Sequence, residues 1–214
     1  MNEPFRNPTR RWFVRAALVY LNTAQTTRCK HSWSLSSCPS DELTMPSKSM
    51  EELEEMVGES VTSIEGFEVE AGKVAEFARA TSEDNEVFYD ETAARKQGFD
   101  SIPAPLTFTR TAYFPRYRPD GVEEILPFDL GFRDGDTLHG EQKYEFHRPL
   151  TVGDTLTGTT TLTDIYQRDG SRGGQMTFAV FEIAYRDQND ERVITERSTL
   201  IETGDINTES GDTE

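Results

Sequence analysis

The spacing of apolar and polar residues changes near the middle of this 214-residue chain. Before residue 115 the apolar positions recur every three to four residues, a period that is typical of helices burying one face. From residue 138 onward they alternate every second residue, which is typical of strands. Helices followed by a run of antiparallel strands predict an α+β fold, in which the sheet buries one face against a helix.

Four helical segments are predicted in the first half of the chain. Asp90 can cap the third of them, and Gly98 can end it. Pro105 suits the first position of the fourth helix, because that position needs no N–H, and Pro115 ends it. The predicted helices cover residues 50–60, 73–81, 90–96 and 105–114, with a brief strand at 67–70 between the first two.

The second half of the chain predicts four strands. Tyr144 and Phe146 alternate with polar neighbours in the first strand, and threonine, a β-branched residue that suits strands, dominates the second. The third carries apolar residues on both faces, so we expect a central strand that is covered on both sides. The four strands cover about residues 138–147, 155–166, 175–185 and 192–202, and residues 203–214 form an acidic tail that we expect to be disordered.

The first 44 residues differ from the rest of the chain, since they are basic and rich in serine and threonine. One interpretation is an export signal, because the run from Thr9 to Leu21 resembles a twin-arginine leader, although its apolar part stops at Asn22. The other is that translation starts at Met45 or Met50, and we favour it. In both cases we expect residues 1–44 to lie outside the domain, as a disordered or wrongly assigned leader, and the domain to span residues 45–202.

The net charge of the chain argues against some classes of binding partner. The chain carries a net charge of −17, and because residues 1–44 contribute +3, the remainder carries −20. This balance opposes binding to nucleic acid or to an anionic membrane surface. A dense negative surface repels itself less in salt, so we predict a halophilic, cytoplasmic protein, with an ordinary acidic protein as the alternative. Both cysteines lie in the leader, so residues 45–202 hold no disulfide or cysteine zinc site.

Three stretches of the chain carry a family resemblance. The segment from Phe77 to Asp90 resembles the hydratase motif of MaoC-like proteins, Gly-Asp-x-Asn-Pro-(Leu/Ile)-His-x-Asp. The sequences Gly-Phe at 98–99 and Ile-Pro-Ala-Pro-Leu at 102–106 match the lead-in to a central helix. The sequences Leu-His-Gly-Glu-Gln at 138–142 and His-Arg-Pro-Leu-Thr-Val-Gly-Asp at 147–154 resemble the strand pair that follows. Over roughly residues 52–202 the chain therefore resembles the N-terminal dehydratase domain related to type-I fatty-acid-synthase dehydratases.

The resemblance implies a single hotdog domain, in which a long antiparallel sheet wraps around a central helix. It also implies reversible hydration of a trans-2-enoyl thioester of coenzyme A or acyl carrier protein, without a metal or cofactor. In the family a His and an Asp share acid–base work on a water, and N–H groups at the start of the central helix polarise the thioester carbonyl. Because a lone hotdog leaves sheet edges exposed, we expect a hetero- or homodimer with another hotdog subunit.

The chain departs from the family motif at its catalytic positions. By spacing, Glu83 occupies the Asp position and Phe88 occupies the His position, while Asn85 and Asp90 keep theirs. A phenylalanine cannot move a proton, so the usual pair is broken. Glu83 remains a candidate base, and Asn85 and Phe88 remain candidate substrate contacts.

Two further regions hold candidate site residues. His139 and His147 are predicted to share one face of a strand, with Glu141, Lys143 and Glu145 between them on that face. Each histidine is either functional or part of a polar sheet face or subunit contact. We prefer His139 as a catalytic candidate and Gly140 as a substrate contact, because a His-Gly pair lets another backbone approach closely. Residues Ala104, Pro105 and Leu106 either present free N–H groups to a thioester oxygen or form a bend that only positions the helix.

Three functions stay open on this basis. The first is a subunit of an acyl-thioester dehydratase or hydratase that lacks a complete catalytic pair and works with a catalytic hotdog subunit. The second is a non-catalytic acyl-CoA-binding module, and the third is an autonomous hydratase that uses Glu83. Phe88 favours the first two over the third, and a hotdog thioesterase is a weaker fourth. The acyl chain length, the carrier and the direction of reaction are left open.

Overall fold

Six strands form one antiparallel sheet in the computed structural model of the protein. The structure describes residues 47–113, 127–133, 136–170 and 174–203, together with the backbone of residues 12–16. The spatial order of the strands is β1-β3-β6-β5-β4-β2. Their bounds are Trp12–Ala16 for β1, Ser60–Glu68 for β2, Thr137–Phe146 for β3, Thr155–Asp169 for β4, Gln175–Arg186 for β5 and Arg192–Glu202 for β6.

The predicted strands after residue 137 are confirmed, whereas the first predicted strand was too short. β2 begins at Ser60, which pairs with Thr161 of β4, and not at residue 67. For the same reason the first helix is shorter than predicted, because its last predicted residues already belong to the approach to β2. It is α1, Met50–Glu55, and a reciprocal pair of hydrogen bonds between Ser49 and Glu52 caps its start.

Two further α-helices agree with the sequence patterns. They are α2, Ala71–Ala80, and α3, Glu91–Lys96. The carboxylate of Asp90 accepts a hydrogen bond from the backbone N–H of Ala93 at 2.7 Å, which confirms Asp90 as the cap of α3. A single 3₁₀ turn, Glu86–Phe88, separates the two helices.

The predicted α-helix at 105–114 is a shorter 3₁₀ helix, Phe108–Tyr113, in the described part of the chain. The residues before it are held extended instead of helical. Pro103 bridges Thr151, and the backbone N–H of Ala104 donates to the Leu150 carbonyl at 2.7 Å. Residues that precede proline avoid the helical region, so Ile102 and Ala104 keep this stretch extended and delay the start of the helix.

This central helix is buried against one face of the sheet. Phe108 is fully buried and its ring lies 5.7 Å from the rings of both Phe67 and Phe77. A second apolar cluster covers the same sheet face nearer α1, where Leu53 packs with Phe128 and Phe181. The sheet therefore closes over two apolar clusters, with the central helix in the larger one.

Strand β5 is central, as predicted, since it lies between β4 and β6. On the face toward the central helix, Phe181 and Tyr185 are buried. On the opposite face Val180 is also buried, whereas Met176 and Phe178 are half-buried. The prediction that both faces are covered therefore holds fully for the helix side and only partly for the other side.

A long antiparallel sheet that holds a short central helix on one face is the α+β hotdog architecture, so the predicted fold class is confirmed. Most of residues 1–44 and the tail beyond residue 203 lie outside the described residues, so their predicted disorder stays a prediction. One piece of the leader, β1, lies along the outer edge of β3. Within the described ranges no helix is both long and apolar enough to cross a membrane.

Candidate functional site

The hydratase-like segment folds into a turn between α2 and α3. Ser82, which stands at the glycine of the motif, adopts a left-handed backbone with a φ of 59°. The side-chain oxygen of Asn85 accepts a hydrogen bond from the Val87 N–H at 3.2 Å. The two motif residues that this chain preserves, Asn85 and Asp90, therefore both cap short helices. As a candidate substrate contact, the exposed Asn85 still has its amide N–H groups and one lone pair of its side-chain oxygen to offer.

Glu83 lies on the exposed surface of this turn. Its backbone is fixed, because its N–H donates to the Ala78 carbonyl at 2.8 Å and its own carbonyl accepts from the Tyr89 hydroxyl at 2.6 Å. Its carboxylate makes no hydrogen bond or ion pair to any described residue. Carboxylates that act as general bases are commonly buried or ion-paired, and Glu83 is neither in the described part of the chain.

Phe88 fills the histidine position of the motif with an apolar ring. The side chain is only 7% exposed and belongs to the larger apolar cluster. This position is therefore part of the core, packed with the residues that surround the central helix, and offers no group that could exchange a proton.

The start of the central helix presents fewer free donors than the sequence suggests. Ala104 is buried and its N–H is already committed to Leu150, and Pro105 has no N–H. The N–H groups of Leu106 and Thr107 donate to no other group in the described ranges. Both therefore remain as backbone donors for a ligand oxygen.

Gly140 forms a bulge in β3 that changes the direction of His139. His139 is opposite Leu200 of β6 and Glu141 is opposite Thr199, so Gly140 is the extra residue between two register positions. A Cβ at Gly140 would lie 2.7 Å from the end of the Ile201 side chain and 3.3 Å from the Thr199 carbonyl oxygen. Only glycine fits this approach without a shift of its neighbours.

The bulge overturns the prediction that His139 and His147 share one sheet face with Glu141. His139 points toward the central helix and lines a cavity there with Arg110, whereas Glu141 lines a groove on the opposite face. His147 lies beyond the end of β3, and its Nε2 is 3.0 Å from the Thr195 hydroxyl. A one-residue bulge has this effect because side chains alternate between faces along a strand.

A buried carboxylate lies beneath the central helix on the same face as His139. Glu196 of β6 is 0% exposed and accepts hydrogen bonds from the Tyr185 hydroxyl at 3.2 Å and the Thr109 hydroxyl at 3.3 Å. The Gln142 amide donates to it as well. Burial raises the pKa of Glu196, and Arg110, whose guanidinium lies 3.5 Å away, opposes that rise.

The imidazole of His139 is kept neutral by its surroundings. Burial lowers the pKa of His139, and the charge of Arg110 lowers it further, while the hydrogen bond with Gln142 acts in the opposite direction. Its Nε2 is buried and has no hydrogen-bond partner in the described part of the chain. Such an orphan nitrogen is uncommon in folded proteins and marks a place where a ligand or a water can bind.

Sequence reasoning identified His139 and Gly140 but missed the polar residues around them. The alternation along the strands could have revealed them. Glu196 and Ser198 fall on the same strand face as the buried Ile194, and Gln142 falls on the same face as Tyr144. Charged or amide side chains in the inward positions of a strand indicate a buried polar network. The structure does not bring Glu83 into this network or into the lining of the cavity.

The second family-like motif, at residues 147–154, forms an ion-pair cluster. The Arg148 guanidinium donates to both carboxylate oxygens of Asp154, each at 2.8 Å, and to Asp187 at 2.7 Å. Asp187 in turn accepts from the backbone N–H groups of Asn189 and Glu191. The motif therefore ties the loop before β4 to the turn between β5 and β6.

Comparison with known proteins places the chain in a family of dehydratase domains. Residues 55–196 match the family model described as the FAS1-like dehydratase domain region. A UPF0336 protein of Clavibacter michiganensis subsp. michiganensis is 32% identical over 152 residues, which cover 71% of this chain and 95% of that protein.

Two solved structures share the architecture. One is the C-terminally truncated HadBC (3R-hydroxyacyl-ACP dehydratase) complex from Mycobacterium tuberculosis, with a TM-score of 0.53 and 25% identity; the match covers 68% of this chain and 96% of the matched chain. The other is a MaoC-like dehydratase, with a TM-score of 0.51 and 29% identity; the match covers 70% of this chain and 43% of that one.

Proposed function

Because the chain belongs to the FAS1-like dehydratase domain region family, we propose that it is a subunit of an acyl-thioester dehydratase or hydratase that works with a catalytic partner. The reaction interconverts a 3-hydroxyacyl thioester with a trans-2-enoyl thioester and water, on coenzyme A or acyl carrier protein in the cytoplasm. One observation carries the proposal: the motif position that holds histidine in the family is Phe88 here, and its ring is packed in the core.

The motif of this chain cannot supply the two proton-transferring groups that the reaction needs. Phe88 has no exchangeable proton, and the Glu83 carboxylate stands exposed on a turn. A general base is commonly held in a buried site or by an ion pair, and the exposed Glu83 has neither in the described ranges. We therefore assign the acid–base pair of the reaction to a second hotdog subunit with an intact Asp–His motif.

Other features of the chain suit a substrate-binding role. The N–H groups of Leu106 and Thr107 are free to meet a thioester oxygen, which puts that oxygen at the start of the central helix. The large apolar cluster around Phe108 supplies surroundings for an acyl chain. Support for pairing comes from the similar HadBC structure, which is a complex of a 3R-hydroxyacyl-ACP dehydratase.

A second candidate function is an autonomous hydratase with an unconventional site. It is favoured by one observation, the buried and unpartnered Nε2 of His139, which is a neutral base facing a cavity. In that case His139 would move one proton, and Glu83, which does not line this cavity, would have to reach the substrate from the exposed turn. If neither this chain nor a partner catalyses the reaction, the chain is a non-catalytic acyl-CoA-binding module.

Co-purification followed by an assay of crotonyl-CoA hydration separates these functions. The full chain is purified in buffer with molar KCl, alone and after co-expression with a MaoC-like hotdog protein that has the intact motif. We expect hydration only from the complex, and we expect Glu83→Gln in this chain to leave the rate of the complex unchanged. Glu86→Gln on the same exposed turn is the matched control for loss of one negative charge.

Hydration by the isolated chain, abolished by Glu83→Gln and by His139→Phe but not by Glu86→Gln, would establish the autonomous hydratase instead. A chain that binds acyl-CoA but never supports hydration, alone or with a partner, would be the binding module.

A further inference from the structure

A polar band crosses the concave face of the sheet between the two apolar clusters. It runs along the paired strands β3 and β6, where Tyr144 is opposite Glu196 and Gln142 is opposite Ser198. The bulge at Gly140 adds His139 to the end of this band. The residues lie beneath the central helix, in a place where a sheet normally carries apolar side chains alone.

The hydrogen bonds of Gln142 favour one neutral tautomer of His139. The amide nitrogen of Gln142 donates to the Tyr144 hydroxyl at 2.7 Å and to the Glu196 carboxylate. Both amide hydrogens are therefore used, and only the amide oxygen remains to meet the imidazole. The neutral tautomer that suits this amide oxygen carries its proton on Nδ1, and Nε2 has no partner in the described ranges. Nε2 is then an acceptor with a free lone pair.

This lone pair faces a small cavity between the helix and the sheet. The cavity measures about 30 Å³, and a water molecule needs roughly 10–15 Å³ measured in the same way. Its walls combine apolar side chains with a few polar ones. The polar ones that the site uses are Arg110, His139 and Ser198.

The polar walls of the cavity complement one hydroxyl group. His139 Nε2 offers an acceptor, and the Ser198 hydroxyl, which bonds no other described residue, offers a donor. Arg110 is a second donor, and its charge is balanced by Glu196 behind it. An anion is disfavoured, because Arg110 is already paired with Glu196. A group with no hydrogen to donate would leave Nε2 without a hydrogen bond. An O–H group can donate to His139 Nε2 and accept from the Ser198 hydroxyl at the same time.

We propose that this cavity is a hydroxyl-binding site for the acyl group, in which the ligand O–H donates to His139 Nε2 and Ser198 donates to the ligand oxygen. A hydroxyl on the acyl chain fills the site, whereas an acyl group without one leaves Nε2 unsatisfied. The chain therefore selects hydroxyacyl thioesters over acyl thioesters of equal length. This inference rests on the proposed function, because it takes the ligand to be an acyl thioester.

The test compares the binding of matched thioesters by titration calorimetry on the full chain in molar KCl. The ligands are butyryl-CoA, (R)-3-hydroxybutyryl-CoA and 4-hydroxybutyryl-CoA, which differ only in the presence and position of the hydroxyl. We expect one of the two hydroxylated thioesters to bind about tenfold more tightly than butyryl-CoA, which is the effect of satisfying one buried acceptor. The preferred isomer shows which carbon of the acyl chain lies at the cavity.

Two variants and one control make the result specific to this site. His139→Phe and Ser198→Ala should each bring the preference down toward unity, with Ser198→Ala as the variant less prone to disturb folding. His147→Gln, outside the cavity, should keep the full preference. In parallel, ¹⁵N spectra of the imidazole groups are simple to assign because the chain has three histidines. They should show His139 as the Nδ1–H tautomer, with a change at Nε2 on adding the hydroxylated ligand only.

Equal binding of all three thioesters overturns the hydroxyl site and leaves the proposed function standing. The same holds if the preference survives in both variants, or if His139 is the Nε2–H tautomer. If no thioester binds at all, the proposed function falls and this inference falls with it.

Discussion

Arg148 holds Asp154 through two parallel hydrogen bonds of 2.8 Å, one from each terminal nitrogen of the guanidinium. The Asp154 side chain is 8% exposed, and the same guanidinium reaches the Asp187 side chain, which is 4% exposed. Both carboxylates need a fixed fork of donors, because a buried carboxylate without a partner is strongly destabilising.

Arg148→Lys should therefore lower the free energy of unfolding by about 1–3 kcal/mol, although it keeps the charge. A lysine offers a point charge and cannot meet both oxygens of Asp154 and Asp187 at once. Urea denaturation at pH 7 in constant KCl measures the loss. Arg186→Lys is the matched control, because Arg186 meets Asp190 at 3.5 Å on the surface, and its change should stay within about 0.5 kcal/mol. Equal losses for the two variants would show that the two-point geometry contributes nothing.

Gly140→Ala should destabilise the protein by about 1–3 kcal/mol, as overpacking in a close contact commonly does. The new Cβ would lie 2.7 Å from the Ile201 Cδ1 and 3.3 Å from the Thr199 carbonyl oxygen. Ile201→Val removes the Cδ1 atom, so the double variant should recover part of the loss. Thermal or urea unfolding of the single and double variants measures this coupling.

The control for Gly140 is Gly72→Ala in α2, where a Cβ would meet no atom within 4 Å. An alanine in a helix is more favourable than a glycine, so this variant should gain about 0.5–1 kcal/mol. If Gly140→Ala proved neutral, the bulge would be able to accept a side chain, and the orientation of His139 would need another cause.

Strand periodicity and the order of the motifs were enough to predict the α+β hotdog fold, because each pattern depends on short stretches of the chain. The face on which His139 lies could not be predicted in the same way. The bulge at Gly140 depends on the pairing of β3 with β6, and a single extra residue reverses parity. The short 3₁₀ form of the central helix depends similarly on the contact of Ala104 with Leu150, which is distant in sequence.

The site shows the same division between local and long-range information. The loss of the motif histidine at Phe88 can be read directly from the sequence, and its burial confirms that the position belongs to the core. The network around Glu196 brings together Thr109, Gln142 and Tyr185 from three separate elements. Their spacing along the chain has no periodic relation, so only the fold reveals that they meet.

Salt should stabilise the protein, because its net charge of −17 makes the folded state repel itself. Raising KCl from 0.1 to 1 M shortens the screening length from about 10 Å to about 3 Å. We expect the free energy of unfolding to rise by an amount on the order of 1 kcal/mol or more at pH 7. Repeating the titration near pH 4.6, the isoelectric point, provides the control, because the repulsion there is small. A salt response of the same size at both pH values would argue against a salt-adapted surface.

Acid should destabilise the protein through His139 as the pH falls below 6.5. Burial, and after it the charge of Arg110, lowers the pKa of His139 from its ordinary value of 6.5. The unfolded chain then binds a proton at a pH where the folded protein does not, so the stabilisation is complete above pH 6.5 and is lost as the pH falls toward the folded pKa. Burial raises the pKa of Glu196 in the neighbouring network, which affects stability in the opposite direction, and Glu196 is present in both of the proteins whose pH dependence is compared below.

The measurement of this acid effect is the free energy of unfolding at several pH values between 7.5 and 5. His139→Phe should flatten the dependence on pH by up to about 1.4 kcal/mol per pH unit, which is the limit for one proton. Slopes are compared instead of absolute stabilities, because the phenylalanine also changes the packing of the cavity. Ser198 lines the same cavity and does not titrate, so the Ser198→Ala variant should keep the slope of the unmodified protein. If His139→Phe kept that slope as well, a protonated His139 would be tolerated in the folded state, and Nε2 would not be the free acceptor that hydroxyl binding requires.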